Sequence, residues 1–285
     1  AKQGACFGVI AGWERPDWYA PEGVAPIYKY SFGRQNWFRH SAEEHRAVRE
    51  RVGLVDQTEF GKFHLQGSDS EAILQELCVS DMNIAVGNIV HTPLLNSDAG
   101  IEADIVAIRT ATDSYLLITS AETARRNFSW IRRHISGNSH TFISDVTSAY
   151  AILSIMGPKS RDLLCQTTSA DLSNAAFPHM TSKEIDIGYT SVRMNRINNV
   201  GELCWDLFVP TEFARPLYHY VVNKGITFDM RHVGSHALDS LRCEKAYLQW
   251  ATDLTNQISP LEARLCYPEF HHKSTDFIGR RSPDS

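Results

Sequence analysis

The chain has 285 residues, 43% hydrophobic and 21% charged, long enough to bury one large core or two smaller ones. Its formal charge of −5 argues against a general polyanion binder and sets nucleic acid aside, and no apolar run approaches the roughly 20 residues of a membrane-spanning helix. Six cysteines (Cys6, Cys78, Cys165, Cys204, Cys243, Cys266) show no CxxC spacing and mostly sit among apolar neighbours, the pattern of small hydrophobes in a reducing compartment.

The opening AKQGACFGVIAGW lacks the basic leader and long apolar core of a signal peptide, so a cytoplasmic or mitochondrial-matrix location is expected. Both ends read as cut from a larger polypeptide. Residues 1–38 are rich in Gly, Pro and aromatics without sustained periodicity and read as a wrapping connector. Ser41 and Glu44 have the spacing of a capping box for a helix running to about Val52, with Gly53 as its stop. Phe63 and Leu65 alternate with Lys62 and His64, as in a half-buried strand. Ser68 and Glu71 repeat the capping-box spacing for a helix through Cys78. IVHTPLLN reads as a strand, ADIVAIR and SYLLITSA as a hairpin, Ala121 to Ile135 as a helix, and TFISDV as a closing strand.

The second half repeats this rhythm. YAILSIM (150–156) reads as a strand, Gly157 and Pro158 open a helix, and strands follow near 183–187, 190–197 and 203–209. A helix from Thr211 to about Asn223 stops at Gly225, and ITFDM reads as the last strand. Another helix, Ser235 to about Tyr247, is expected to pack through Leu238, Leu241 and Ala246. Two successive β, α, ββ, α, β orders predict an α+β chain of two packed ferredoxin-like units, each an antiparallel sheet with helices.

Missing motifs narrow the chemistry. There is no GxG, hence neither a dinucleotide fingerprint nor a phosphate loop, and neither HExxH nor GxSxG occurs; no metal site is expected. Two carboxylates stand out. Asp104 follows the LLNSDAG turn and begins an apolar strand, where an Asp must find donors or water. Its simplest role is to cap the Asn96–Gly100 turn. Glu202 follows Gly201 where a hairpin enters the strand LCWDLFV. A Glu there is ordinarily solvated, yet its two coplanar acceptors match the ring N–H and exocyclic amine of a pterin.

GIEAD ending in Asp104, NVGE ending in Glu202, FGKF with Asp56 four residues ahead, LDSLRCEKAY and KSTDFIGR together resemble the folate-binding aminomethyltransferase family, the glycine-cleavage T-protein and its relatives. GWERPDWY resembles the segment that joins the flavin and folate domains in dimethylglycine and sarcosine dehydrogenases. The resemblance implies the T-protein folate-binding fold without its C-terminal β-barrel. Its parts would be a connector at 1–38, folate-binding subdomains at 39–147 and 148–232, and a return helix with a link at 233–285. It implies tetrahydrofolate as one-carbon acceptor, a small methylamine substrate, and FAD only through a separate flavin domain, in cis or as a partner subunit. Asp104 would be the catalytic carboxylate beside the reacting folate nitrogen, and Glu202 would orient the pterin. Asn199 stands where relatives carry Tyr, Phe60 and Trp250 would wall the pocket, and Arg242 or a lysine would meet the folate carboxylate tail in place of the family Arg near His236 and Leu238. Ala99 replaces one of two glycines common in the turn. The alternatives are a non-catalytic regulatory or interaction module of this fold, and a folate-dependent demethylase acting on another methyl donor.

Overall fold

A computed structural model describes residues 2–265 and 273–280. In chain order the strands and helices of the first half are β1 (Ala5–Ile10), β2 (Trp13–Tyr19), α1 (Phe38–Glu50), β3 (Gly53–Asp56), β4 (Gly61–Gly67), α2 (Ser70–Leu77), β5 (Ile89–Leu95), β6 (Ile101–Ala111), β7 (Ser114–Thr119), α3 (Ala124–His134) and β8 (Thr141–Asp145). The second half adds β9 (Tyr150–Met156), α4 (Ser160–Leu164), β10 (Thr181–Ile187), β11 (Thr190–Ile197), β12 (Cys204–Pro210), α5 (Thr211–Gly225), β13 (Arg231–His232) and α6 (Ser235–Glu244). The chain divides into two units, residues 1–59 with 148–247, and residues 60–147 with 248–285. Helix α1 and strand β3, expected in the first subdomain, therefore belong with the second half of the chain.

The unit of 60–147 and 248–285 has the strand order β5-β6-β7-β4-β8, all antiparallel. This is the expected ferredoxin-like β4-α2-β6-β7-α3-β8 with β5 added at one edge. Phe63, Leu65, Ala103, Ile105, Leu117 and Ile131 build its core beneath α2 and α3. Lys62 is fully buried rather than half-exposed, because it lies on the opposite, also covered, face of β4.

The other unit departs from the expected order. Its main sheet runs β10-β11-β12-β9-β3-β13. In a ferredoxin-like unit the last strand would lie beside β9; here β3 occupies that edge, antiparallel to β9. ITFDM is not a strand: 226–228 form a 3₁₀ turn, Asp229 turns left-handed at φ 47°, and only Arg231–His232 pair, parallel to β3. Trp205, Leu207, Leu153, Met194 and Leu217 are among the residues of its core on one face of the sheet.

Other expectations change locally. Residues 1–38 contain an antiparallel hairpin, β1-β2, whose two-residue turn has positive φ at both Ala11 (49°) and Gly12 (86°). That is the type I′ geometry that matches strand twist. Without Asn-Gly or Asp-Gly as a cue, the sequence hid it. Neither capping box forms: α1 starts at Phe38 after Trp37, α2 after Asp69, both without a side-chain cap. Glu44 instead turns inward, accepting from the backbone N–H of Tyr19 (2.6 Å) and Gly234 (2.9 Å). Helix α6 ends at Glu244 and packs through Ala237 and Leu241 with Leu238 partly buried against them, as expected of Leu238 and Leu241, whereas Ala246 lies outside the helix, exposed. No helix among the described residues is long and apolar enough to cross a membrane.

Candidate functional site

In the 60–147 unit, the turn before β6 is organised by Asn96, not by Asp104. Asn96 Oδ1 accepts from the N–H of Asp98 (3.0 Å) and Gly100 (2.8 Å). Ala99 takes the left-handed conformation at φ 60°. Gly100 is required for a different reason: a Cβ there would meet the Asn256 carbonyl oxygen at 1.9 Å. Relieved of capping, Asp104 lies within β6, opposite Pro93 of β5.

Antiparallel register decides what Asp104 meets. Opposed residues share a face, so Asp104, Pro93, His91 and Val106 face one side, and Val106 continues through Ile118 to Lys62. His91, diagonal to Asp104, brings Nε2 to 2.8 Å from Asp104 Oδ1. The carboxylate is largely covered and the imidazole half-exposed. The Asp104 charge holds the His91 pKa above its ordinary value, against the opposing effect of burial. The sequence did not single out His91, because the contact depends on strand register.

In the other unit a polar row crosses the sheet. Ser182, Asn195, Asp206, Ser154 and Val55 are successive neighbours on β10, β11, β12, β9 and β3. All are buried, on the face opposite Trp205 and Leu207. The Ser154 hydroxyl donates to Asp206 Oδ1 at 2.5 Å, and the Gln57 side chain lies 2.5 Å from the same hydroxyl. The Gln57 atom at that distance is Oε1, so the Ser154 hydroxyl faces two acceptor oxygens. Burial pushes the Asp206 pKa up to about 6, while hydrogen bonding from Ser154, Cys204 and Asn199 offsets part of the rise. Asn195 Oδ1 is enclosed without a hydrogen-bond partner among the described residues.

This row bears directly on Glu202. That residue lies in the loop between β11 and β12, just past Gly201 at φ 77°. Its Oε1 is 3.2 Å from Arg49, whose guanidinium also donates to the Val200 and Leu241 carbonyls. Glu202 thus helps hold the α1 end to this loop. The buried carboxylate is Asp206, four residues on, and Asn199 is grouped with it. A lone Asp within the apolar strand LCWDLFV was the available sequence signal, the same that marked Asp104.

The remaining expected residues are engaged within their own units. Trp250 donates from Nε1 to the Ile101 carbonyl at 2.7 Å, and the Arg126 guanidinium lies 4.6 Å from its ring centre. Arg126 also pairs with Glu102. Phe60 is half-buried directly before β4. Arg242 binds Asp239 (2.6 Å) and the Tyr247 carbonyl (3.0 Å) at the end of α6, so its guanidinium closes that helix. Among the described residues no group of three or more His, Cys, Asp or Glu side chains is placed to hold a metal ion.

Two sheet-rich α+β units, each with a shielded Asp on a central strand, have the architecture of the aminomethyltransferase fold. The chain belongs to the GCVT N-terminal domain family, whose model matches residues 1–267. At the level of the superfamily it is a folate-binding aminomethyltransferase-like domain, related to the folate domains of dimethylglycine and sarcosine dehydrogenases. It is 34% identical over 280 residues to 4-methylaminobutanoate oxidase (formaldehyde-forming) of Paenarthrobacter nicotinovorans, covering 98% of this chain and 34% of that protein. It is 33% identical over 278 residues to mitochondrial dimethylglycine dehydrogenase of Rattus norvegicus, covering 97% and 32%. The chain therefore spans about a third of the length of these relatives. The aminomethyltransferase T of the Bartonella henselae glycine cleavage system has the same fold, with a TM-score of 0.80 at 21% identity, covering 99% of this chain and 70% of that one.

Proposed function

We propose that this chain binds a reduced folate and captures on it the one-carbon unit released when an N-methyl amine is oxidised, giving methylene-tetrahydrofolate. The observation that carries this reading is the buried Asn195–Asp206–Ser154 row, which pairs a carboxylate with an unpartnered amide oxygen. Asn195 Oδ1, enclosed without a donor, is costly unless a ligand supplies one. The N–H-rich edge of a pterin is such a ligand, and Asp206, ionised above about pH 6, would face it better than an Arg-paired Glu202.

Asp206, Asn195 and Asn199 would hold and orient the folate, which is the one-carbon acceptor. Within its own unit, Asp104 is the carboxylate for which the family resemblance implies the proton-accepting role, one that a shielded carboxylate can take. The relatives' names support the source of the carbon, one being formaldehyde-forming and one acting on dimethylglycine. Amine oxidation would be carried out by a flavin domain in the same polypeptide or in a partner subunit.

Titration of the chain with tetrahydrofolate tests this. Asp206→Asn is expected to weaken binding by at least about tenfold, the loss of one charge-assisted hydrogen bond. Asp104→Asn is expected to bind within about threefold of wild type while losing most one-carbon capture. Equal affinity of wild type and Asp206→Asn would overturn the assignment.

A further inference from the structure

We infer that His91 and Asp104 form one proton-transfer unit, in which His91 positions the carboxylate and passes to solvent the proton that Asp104 receives. This rests on the folate reading above and deepens it, since nothing in that reading requires His91.

Three observations carry it. First, the β5-β6 register fixes the pair: Pro93 lies opposite Asp104, so the side chain two residues back, His91, is the diagonal neighbour on the same face. Second, Asp104 Oδ1 is enclosed without a well-aligned hydrogen-bond donor, and His91 Nε2 lies 2.8 Å from it as an ion-pair partner. The imidazole therefore engages one oxygen and leaves Oδ2 as the oxygen to meet a substrate nitrogen. Third, exposure runs in the order a relay needs, with 23% of the Asp104 side chain exposed and 50% of His91. A proton taken by the covered carboxylate has a half-exposed imidazole beside it through which charge can leave.

The proton count balances. The resting pair is a carboxylate and a neutral imidazole that carries its proton on Nδ1 and presents Nε2 to Asp104. As the acceptor nitrogen forms its bond to carbon, its N–H bond breaks and an O–H bond forms on Asp104. That proton passes from the carboxyl to His91 Nε2, giving an imidazolium that the Asp104 charge stabilises, and the ring then releases one proton to water and returns by exchange with water to the Nδ1-protonated form. One proton enters and one leaves, and no oxidant or reductant takes part.

An ordinary cross-strand ion pair would contribute only about 0.2–1 kcal/mol to stability and nothing to turnover. Two measurements separate the cases. In the first, the His91 imidazole is titrated by NMR in wild type and in Asp104→Asn. The expected result is a higher titration point in wild type; identical titration would overturn the coupling. In the second, formation of methylene-tetrahydrofolate from formaldehyde and tetrahydrofolate is followed against pH, after subtraction of the uncatalysed rate. His91→Gln keeps a hydrogen-bond donor but does not titrate, and is expected to lower kcat by at least about tenfold with KM little changed. It should also lose the ionisation assigned to His91 from the pH profile, and added imidazole should restore part of the rate to His91→Ala. Wild-type tetrahydrofolate binding with an unchanged rate and profile in His91→Gln would overturn this inference alone. Absence of wild-type binding would overturn the folate reading and this inference with it.

Discussion

Arg49 at the end of α1 holds Glu202, its guanidinium 3.2 Å from Oε1 and 2.6 Å from the Val200 carbonyl oxygen. The same group reaches Leu241 and Glu244 of α6, so one arginine gathers a helix end, a loop and a second helix. Glu202→Gln is expected to lower stability by at most about 1 kcal/mol, the worth of a partly exposed pair. Tetrahydrofolate affinity should stay within about twofold of wild type, because the carboxylate proposed to meet the ligand is Asp206. Urea unfolding and ligand titration of the same variant check both parts.

The stability contributed by Glu44 and Asp206 should fall with rising pH across the weakly acid range. Burial pushes Glu44 up to about 7 and Asp206 to about 6, both above ordinary carboxylate values. Between the unfolded and folded pKa values the native state holds protons that the unfolded chain has lost. The stabilisation is thus full below about pH 4 and is lost as pH rises through 6 and then 7. Glu44→Gln should flatten the upper part of this slope, between about pH 6 and 7, in urea midpoints measured as a function of pH. An unchanged slope would contradict the burial of an ionisable Glu44.

The turn before β6 permits opposite tests at adjacent positions. Ala99 bears left-handed strain of about 1–2 kcal/mol, and a glycine removes it at about 0.5–1 kcal/mol of added unfolded-chain entropy. Ala99→Gly should therefore stabilise by about 0.5–1 kcal/mol. Gly100→Ala should destabilise by more than about 2 kcal/mol, because the new Cβ would overlap the Asn256 carbonyl. Thermal melts of the two variants should move in opposite directions.

Lys273 is 5% exposed, and its Nζ donates to the carbonyls of Gln75 (2.7 Å), Cys78 (2.7 Å) and Ser80 (3.1 Å). Burial lowers its pKa, yet three carbonyls at the end of α2 give the charge its partners. Lys273→Met matches the length but leaves those acceptors unserved, and should cost about 2–4 kcal/mol in chemical unfolding. An effect below about 0.5 kcal/mol would show that water satisfies the carbonyls instead.

Where periodicity was strong, the sequence was legible. The hairpin β6-β7, helix α3 and strands β9, β11 and β12 follow from alternation and helical spacing alone. Caps were misread because Ser41 and Glu44 had the right spacing but Glu44 found buried backbone donors elsewhere. Arg242 and Glu202, ligand groups by the family resemblance, each pair with a side chain in their own unit, a contact that residue type alone did not disclose.

Local pattern by itself determined the α+β class, the order of most elements and the place of Asp104 in an apolar strand, because side-chain alternation and an Asp within an apolar strand are properties of neighbours in the chain. Tertiary structure alone decided that β3 takes the edge beside β9, that His91 faces Asp104, and that Asp206 lies in a buried row with Asn195 and Ser154. Those relations depend on strand register and on which distant segment fills a sheet edge, and both are set by the packing of residues far apart in sequence.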